Sequence, residues 1–194
     1  MAMTNEELMQ ILTETGAYQS GHFKLSSGLH SANYIQCSQL LKFPRVAEKV
    51  CSEIAAMFKD DNIEMVVGPA IGGILVAYEV GRALNVPAIF AERENGVMTL
   101  RRGFHVEPGT RCLVTEDVLT TGGSAQEVVE LLQAQGAEVV SATSIIDRTP
   151  GNTLKLKVSF KSLIQLTFPT YQPDECPMCK EGQPIQKPGS RPGI

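Results

Sequence analysis

The spacing of hydrophobic positions along the chain predicts a series of helices. Apolar residues recur three and four apart within residues 4–15, 44–58, 73–84 and 124–136, which is the spacing of one helix face. Thr4 and Glu7 have the separation of a capping box, Pro44 suits a first helical turn, and Gly136 suits a helix end.

Continuous runs rich in β-branched residues predict strands between these helices. They cover residues 63–68, 87–92, 111–116, 137–147 and 162–168. Because the runs alternate with helices, we expect an α/β fold with a mainly parallel sheet covered on both faces. Three segments lie outside this pattern. We expect loop and short strands over 20–38, a long mobile loop over 93–110, and an irregular, proline-rich tail over 169–194.

Composition narrows the class of protein. A chain of 194 residues with 43% hydrophobic content suits one domain with a sizeable core. The net charge of -4 argues against a nucleic-acid partner, and the apolar runs are too short for a membrane span. The N-terminus lacks the features of a signal peptide, and five scattered cysteines fit free thiols. We therefore expect a cytoplasmic protein.

The chemistry of the chain concentrates in the stretch "RCLVTEDVLTTGGSA". Glu116 and Asp117 come at the predicted end of a strand, where ligands bind in parallel α/β sheets. Unpaired carboxylates are costly there, so they indicate sugar hydroxyls or a metal. Gly122 and Gly123 let the backbone approach a ligand, and a helix N-terminus follows that suits a phosphate. The stretch matches neither a Walker A loop nor a dinucleotide-binding fingerprint.

The segment "CLVTEDVLTTGGSA" resembles the phosphoribosyl-pyrophosphate motif of the type I phosphoribosyltransferases. Within that family, three more stretches resemble the enzymes that act on orotate. They are "HFKLSSGLHSANY" (22–34), "VVGPAIGG" (66–73) and "SIIDRT" (144–149). The resemblance implies a single phosphoribosyltransferase domain over 1–194. Its core would span about 44–168, and a small hood would comprise about 1–40 plus the C-terminal segment.

The resemblance also implies an activity and roles for residues. A Mg²⁺-dependent homodimer would transfer ribose 5-phosphate from phosphoribosyl pyrophosphate to orotate, a step of pyrimidine (UMP) biosynthesis. Glu116 and Asp117 would hold the ribose hydroxyls, Thr120 to Ser124 would wrap the 5-phosphate, and Arg148 would grip orotate. Backbone donors of 68–73 would bind pyrophosphate. The loop arginines Arg93, Arg101 and Arg102 would close over it, and in the family's dimers such arginines act in the site of the neighbouring subunit. The implied substrate-binding residues are Tyr34, Arg93, Glu116, Asp117, Val118, Leu119, Thr120, Thr121, Gly122, Gly123, Ser124 and Arg148. The implied catalytic residues are Asp117, Arg101 and Arg102.

Two other functions share this motif. A purine phosphoribosyltransferase would keep the chemistry and change the base, but the hood and the Asp147–Arg148 pair disfavour it. A non-catalytic regulator would use the fold to sense phosphoribosyl pyrophosphate and bind nucleic acid, which the acidic charge disfavours.

Cysteine and histidine give weaker signals. Cys176 and Cys179 have metal-ligand spacing, but a zinc site needs two more ligands and no second Cys-x-x-Cys exists. Cys37 or a partner subunit would have to complete such a site, so no metal ligands are predicted. The three histidines, His22, His30 and His105, are isolated in the sequence, and we expect structural or solvent-exposed roles for them.

Overall fold

Strands and helices alternate through most of the computed structural model, which describes residues 3–149, 154 and 156–188. The helices are α1 (Asn5–Glu14), α2 (Ser38–Leu41), α3 (Pro44–Ala56), α4 (Gly72–Leu84), α5 (Gly123–Ala134) and α6 (Pro177–Lys180). The strands are β1 (Tyr18–Lys24), β2 (His30–Ile35), β3 (Met65–Pro69), β4 (Ala88–Glu94), β5 (Val97–Leu100), β6 (Arg111–Leu119), β7 (Glu138–Asp147), β8 (Phe160–Gln165) and β9 (Thr170–Tyr171). The four long helices of the sequence analysis are confirmed. In the described residues, no helix combines the length and apolar character needed to cross a membrane.

The central sheet has six strands in the order β5-β4-β3-β6-β7-β8. Its neighbours pair in parallel except β4 and β5. The mainly parallel α/β sheet is therefore confirmed. The carboxyl ends of β3, β6 and β7 meet at one edge, which is where ligands bind in such sheets.

Helices cover both faces of this sheet. On one face, Val50 and Ile54 of α3 are fully buried in a cluster that includes Val66 of β3. On the other, Val128 of α5 is buried in a cluster with Val114 of β6. Burying each such side chain stabilises the fold by about 1.5–3 kcal/mol. These two clusters fix where the sheet edge and the helix N-termini lie.

A separate antiparallel sheet, β1-β2-β9, combines the first hairpin with the C-terminal segment. Beyond β9 the chain returns to β1. The Gln186 N–H donates to the His22 carbonyl and the Lys24 N–H donates to the Gln186 carbonyl, each over 2.8 Å. The tail that was expected to be irregular thus contains β9, α6 and this bridge. Residues 150–153, 155 and 189–194 lie outside the described part of the chain.

The expectation of a long loop over 93–110 is wrong for its first part. Strand β4 continues to Glu94 and pairs with β5 as an antiparallel hairpin. Asn95 and Gly96 form the turn with φ values of 52° and 84°, the left-handed backbone that Asn-Gly hairpin turns require. The Asn-Gly pair was the available signal, and the absence of clear alternation around it concealed the strands. Residues 101–110 form no helix or strand.

Candidate active site

The two carboxylates lie within β6 rather than beyond it. The predicted strand ended at Glu116, but β6 continues to Leu119 because it keeps pairing with β7, as far as Leu119 opposite Asp147. Parallel pairing with a neighbour is a tertiary interaction that the local apolar run does not reveal. Glu116 and Asp117 therefore have a rigid backbone at the ligand-binding edge of the sheet.

Burial raises the pKa of both carboxyl groups. The pKa of Glu116 rises to about 8 through desolvation and through the negative charge of Asp117. Desolvation also raises the pKa of Asp117. The hydrogen bond that Asp117 Oδ1 accepts from the Val118 N–H at 2.9 Å lowers this pKa and offsets part of the shift. No positive side chain of the described residues is among the causes that act on either pKa. A ligand that hydrogen-bonds to the ionised carboxylates, or a cation, would offset this desolvation.

Glu116→Gln is expected to stabilise the ligand-free protein at pH 8 and to leave it unchanged near pH 4.5. Because the folded-state pKa of about 8 exceeds the ordinary 4.5, the unfolded chain releases this proton at a lower pH than the folded chain does. The free energy of unfolding therefore falls as the pH rises from 4.5 through 8. Glutamine removes that loss, which we expect to be on the order of a few kcal/mol at pH 8.

Urea unfolding of both proteins at the two pH values measures this difference. Glu14→Gln, at the exposed end of α1, is the matched control for removal of one carboxylate. A Glu116→Gln protein that is less stable than the parent at pH 8 would show that Glu116 has a stabilising partner.

Asp117 lies against the N-terminus of α4. A Cβ atom added to Gly72, the first residue of α4, would lie 2.4 Å from Asp117 Oδ2. Ile71 caps the helix without a side-chain hydrogen bond, so the first N–H groups remain available to an anion. A Cβ atom on Gly68 would lie 2.1 Å from the Gly73 carbonyl oxygen. Gly68 is thus required by close packing of backbone on backbone, and Gly72 leaves room for the Asp117 carboxylate.

The N-terminus of α5 has the geometry of a phosphate site. Gly122 is its N-cap, with φ 75° and no side-chain hydrogen bond to the helix. The Gln126 N–H is the first to reach a helical acceptor, the Gly122 carbonyl, at 2.8 Å. The N–H groups of Gly123, Ser124 and the following alanine therefore lack helical acceptors, as expected of a helix start that binds an anion.

Arg148 supplies a cation without a carboxylate partner in the described structure. Its guanidinium lies 4.9 Å from the centre of the Phe168 ring, and its Nε is buried without a hydrogen-bond partner. Burial lowers the pKa of Arg148, while the nearby Tyr34 acts against that shift. The backbone N–H of Arg148 donates a hydrogen bond to the backbone carbonyl of Leu119 at 2.7 Å. This bond holds Arg148 at the end of β6. An anion that fills this position would satisfy the guanidinium.

A cleft of about 660 Å³ connects Asp117 with Thr120, Thr121 and Arg148, whereas Glu116, Leu119 and the residues Gly122 to Ser124 do not line it. The predicted residues that line it are Tyr34, Asp117, Val118, Thr120, Thr121 and Arg148. Lys24, Phe168 and Lys187 also line the cleft, although the sequence did not predict them there. Lys24 is part of the quoted hood stretch, whereas Lys187 lies in the proline-rich tail, where no local signal marks it. The two lysines give the cleft wall a positive potential that suits an anionic substrate.

The three arginines predicted in the loop lie outside the cleft of their own chain and form ion pairs, and Arg93 belongs to β4. Arg93 pairs with Glu127 at 2.7 Å, Arg101 with Glu94 at 3.1 Å, and Arg102 with Glu92 at 3.0 Å. Exposed pairs of this kind contribute little stability and exchange easily. The implied role of these arginines in closing over a substrate stays a prediction.

Comparisons with known proteins agree with this geometry. The phosphoribosyl transferase domain family matches residues 36–169. The chain is 49% identical over 189 residues to the orotate phosphoribosyltransferase of Caldicellulosiruptor saccharolyticus, covering 97% of this chain and 98% of that one. It is 52% identical over 184 residues to the orotate phosphoribosyltransferase of Thermotoga maritima, covering 95% and 98%. The crystal structure of orotate phosphoribosyltransferase from Aeropyrum pernix matches with TM-score 0.67 and 28% identity, covering 82% of this chain and 93% of that one.

Proposed function

The chain belongs to the phosphoribosyl transferase domain family, and from that premise we propose that it is an orotate phosphoribosyltransferase. The enzyme transfers ribose 5-phosphate from phosphoribosyl pyrophosphate to orotate and releases pyrophosphate and orotidine 5-monophosphate. The observation that carries this function is that one cleft joins Asp117, the phosphate loop at Thr120 and Thr121, and Arg148, whose buried Nε has no hydrogen-bond partner among the described residues. These are the groups needed for a sugar, its phosphate and an anionic base.

The phosphoribosyl group would bind across the ends of β6 and α5. The free N–H groups at the start of α5 and the hydroxyls of Thr120, Thr121 and Ser124 would hold the 5-phosphate. Glu116 and Asp117 would accept hydrogen bonds from the ribose hydroxyls. Those bonds favour the ionised carboxylates and so offset the desolvation that raises both pKa values.

Orotate would bind between the phosphate loop and the hood. Its carboxylate and ring carbonyls suit the guanidinium of Arg148, whose planar fork can donate two hydrogen bonds. Tyr34 and Phe168 lie on the same cleft wall and would pack against the ring. We propose the hood, about 1–40 plus the C-terminal segment, as the part of the single domain that closes this side.

Positioning and charge stabilisation account for the chemistry. The bond from orotate N1 to the anomeric carbon forms as the bond from that carbon to pyrophosphate breaks, and N1 gives up its proton. No protein nucleophile is needed, so the cleft acts by holding both reactants in line. The N-terminus of α4 would stabilise the departing pyrophosphate through its free N–H groups. We propose that the loop arginines join this site from a neighbouring subunit.

The carboxylate oxygens at the cleft suit a magnesium complex of the substrate. Asp117 lines the cleft and has no cationic partner of its own in the described residues, and carboxylates are the ligands that Mg²⁺ prefers. Magnesium bound to pyrophosphate and ribose hydroxyls would neutralise charge on the leaving group. Asp117 and Glu116 would orient the ribose hydroxyls, whether the cation contacts the two carboxylates directly or through water.

The test of function is loss of orotate absorbance when phosphoribosyl pyrophosphate and magnesium are added to the purified protein. Parallel reactions with adenine, guanine and hypoxanthine determine whether the base is a pyrimidine. Turnover with orotate alone is the expected result. Turnover only with a purine would overturn the choice of base, and binding of phosphoribosyl pyrophosphate without turnover of any base would indicate a regulator.

Gly123→Ala is expected to weaken phosphoribosyl pyrophosphate binding at least 10-fold without loss of stability. A Cβ atom at Gly123 would contact only Thr121 Oγ1, at 3.6 Å, so the free protein accommodates it. The methyl group would nevertheless occupy the concave loop that the phosphate requires. Calorimetric titration with the substrate and thermal unfolding together measure the two effects.

Gly122→Ala provides the contrasting variant. Gly122 has φ +75°, and an added Cβ atom would lie 3.2 Å from Leu154 Cδ1. We expect this variant to lose stability, by about 1–2 kcal/mol from the left-handed backbone alone. If Gly123→Ala binds phosphoribosyl pyrophosphate with unchanged affinity, the phosphate does not bind at this loop.

A homodimer is the assembly that we propose. Leu75 and Tyr78 of α4 and its N-cap residue Ile71 are spaced as one helix face and are 47%, 64% and 82% exposed, and a second copy would cover this stripe. The double substitution Leu75→Glu with Tyr78→Glu is expected to give a monomer in analytical ultracentrifugation. A parent protein that sediments as a monomer would contradict the proposal. We also propose a reducing, cytoplasmic location, because none of the five cysteines is paired in a disulfide.

A further inference from the structure

Four potential metal ligands meet between the first hairpin and the C-terminal segment. They are His22 of β1, His30 of β2, Cys176 at the N-cap of α6, and Cys179 within α6. Their ligand atoms all lie within 4.8 Å of one another. His22 and His30, which are separated from the cysteines in the sequence, lie beside them in the folded chain. Cys37, the earlier candidate to complete the pair, lies elsewhere, with its Sγ 3.9 Å from the Asp117 carbonyl.

The separations between these atoms fit the edges of a small tetrahedron. His22 Nε2 lies 3.1 Å from His30 Nδ1, and 3.5 and 3.6 Å from the sulfurs of Cys176 and Cys179. Cys179 Sγ lies 3.3 Å from His30 Nδ1. Zinc bonds of about 2.0–2.1 Å to nitrogen and 2.3 Å to sulfur give tetrahedral edges of about 3.3 Å between nitrogens and 3.6 Å from nitrogen to sulfur. The four atoms therefore surround a space that suits one zinc ion.

A hydrogen bond outside the cluster orients one of the ligands. His22 Nδ1 lies 2.9 Å from the carbonyl oxygen of Gln183. A carbonyl only accepts, so Nδ1 carries the proton and Nε2 presents its lone pair to the other three ligands. Metal-bound histidines commonly have such a partner on the second ring nitrogen. This bond is independent of the four-atom geometry and supports the same conclusion.

The segment that carries the cysteines has little hydrophobic anchorage. Within residues 172–188, Cys176 and Met178 are the only buried side chains. Such limited burial does not offset the entropy lost when a segment of this length becomes ordered. His22, His30 and Cys176 are nonetheless 3%, 5% and 0% exposed. A further interaction must hold the segment against β1 and β2, and metal coordination at this cluster supplies one.

We propose that His22, His30, Cys176 and Cys179 bind one structural zinc ion. Two thiolates and two imidazoles are a known donor set for tetrahedral zinc, and all four positions are filled by the protein, as in structural rather than catalytic sites. The ion ties α6 to the hairpin and fixes the bridge at Gln186. That bridge delivers Lys187 to the cleft wall beside Lys24. The site thereby supports the cleft from outside it.

Metal analysis of the purified chain tests this proposal. We expect close to one zinc per chain, and zinc-edge X-ray absorption is expected to show two sulfur and two nitrogen neighbours at about 2.3 and 2.0–2.1 Å. Cys176→Ser combined with Cys179→Ser should lose the metal, and its C-terminal segment should become sensitive to limited proteolysis. Cys51→Ala, which removes a buried thiol in α3, should keep the metal.

Three results would overturn the site. They are an absence of bound metal after dialysis against zinc, retention of full zinc content by the double variant, and a disulfide between Cys176 and Cys179 in place of the metal. None of these measurements depends on turnover, so failure of the zinc site and failure of the proposed activity are separate outcomes.

Discussion

Replacing Arg148 by alanine is expected to lower kcat/KM for orotate by about 10²–10³-fold while the protein stays folded. The guanidinium is half-buried, its Nε has no hydrogen-bond partner in the described structure, and it lines the cleft. Removing one partner of a desolvated ion pair typically costs about 3–5 kcal/mol. Here the pair would form between Arg148 and orotate, so the variant should destabilise the enzyme–substrate complex rather than the free protein. Steady-state kinetics with orotate varied at saturating phosphoribosyl pyrophosphate measures the effect.

Two further arginine variants make this result specific. Arg148→Lys keeps the charge but loses the planar fork, so we expect it to recover only a small part of the activity. Arg82→Ala removes an exposed arginine of α4 that pairs with Glu48 and Glu79 away from the cleft, and it should keep full activity. Because burial lowers the pKa of Arg148, loss of this charge should not lower the melting temperature. If kcat and KM for orotate are unchanged in Arg148→Ala, Arg148 does not bind the base.

Asp117→Asn is expected to lower kcat/KM for phosphoribosyl pyrophosphate by about 10²–10³-fold. Asparagine preserves the size of the side chain against Gly72, where an added Cβ atom would lie 2.4 Å from the carboxylate. It removes the negative charge that would hold the ribose hydroxyls and stabilise the cation-like sugar at the transition state, an electrostatic effect of roughly 3–4 kcal/mol. Initial rates with this substrate varied, at saturating orotate and magnesium, give the value.

Stability separates this catalytic effect from a folding defect. The folded-state pKa of Asp117 is raised above its ordinary value, so ionisation costs stability as the pH rises through the folded pKa. Asp117→Asn should therefore be at least as stable as the parent protein at neutral pH. Asp147→Asn is unsuitable as a control because Asp147 accepts hydrogen bonds from Thr149. Asp60→Asn, at an exposed position, is suitable. Full activity in Asp117→Asn would contradict the assignment of its role.

The phosphate half of the site was accessible from the sequence because its parts are contiguous. Asp117, Thr120 and Gly122 belong to one strand, one loop and one helix start, so their relative positions follow from local backbone geometry. The base half was accessible only in part. Arg148 came from the resemblance, whereas the contribution of Phe168 required the cleft itself.

The positions at which the strands end were harder to predict from the sequence. The run at 111–116 contains the continuously buried residues 112–115 of β6. The last three residues of β6 are strand because β7 lies alongside. The hairpin of β4 and β5 depended on an Asn-Gly turn within a segment whose side chains show no clean alternation. Both strand ends are therefore determined by pairing between segments rather than by side-chain pattern.

The sequence alone determined the α/β class, the major helices and the chemistry of the phosphate loop, because each depends on residue types a few positions apart. Only the tertiary structure decided which distant residues meet. It places His22 beside Cys176, 154 positions away, and it brings Lys187 to the same cleft as Lys24. Side-chain periodicity and capping are local properties. Metal coordination and a cleft wall instead depend on chain segments that approach each other only when the sheets and helices pack.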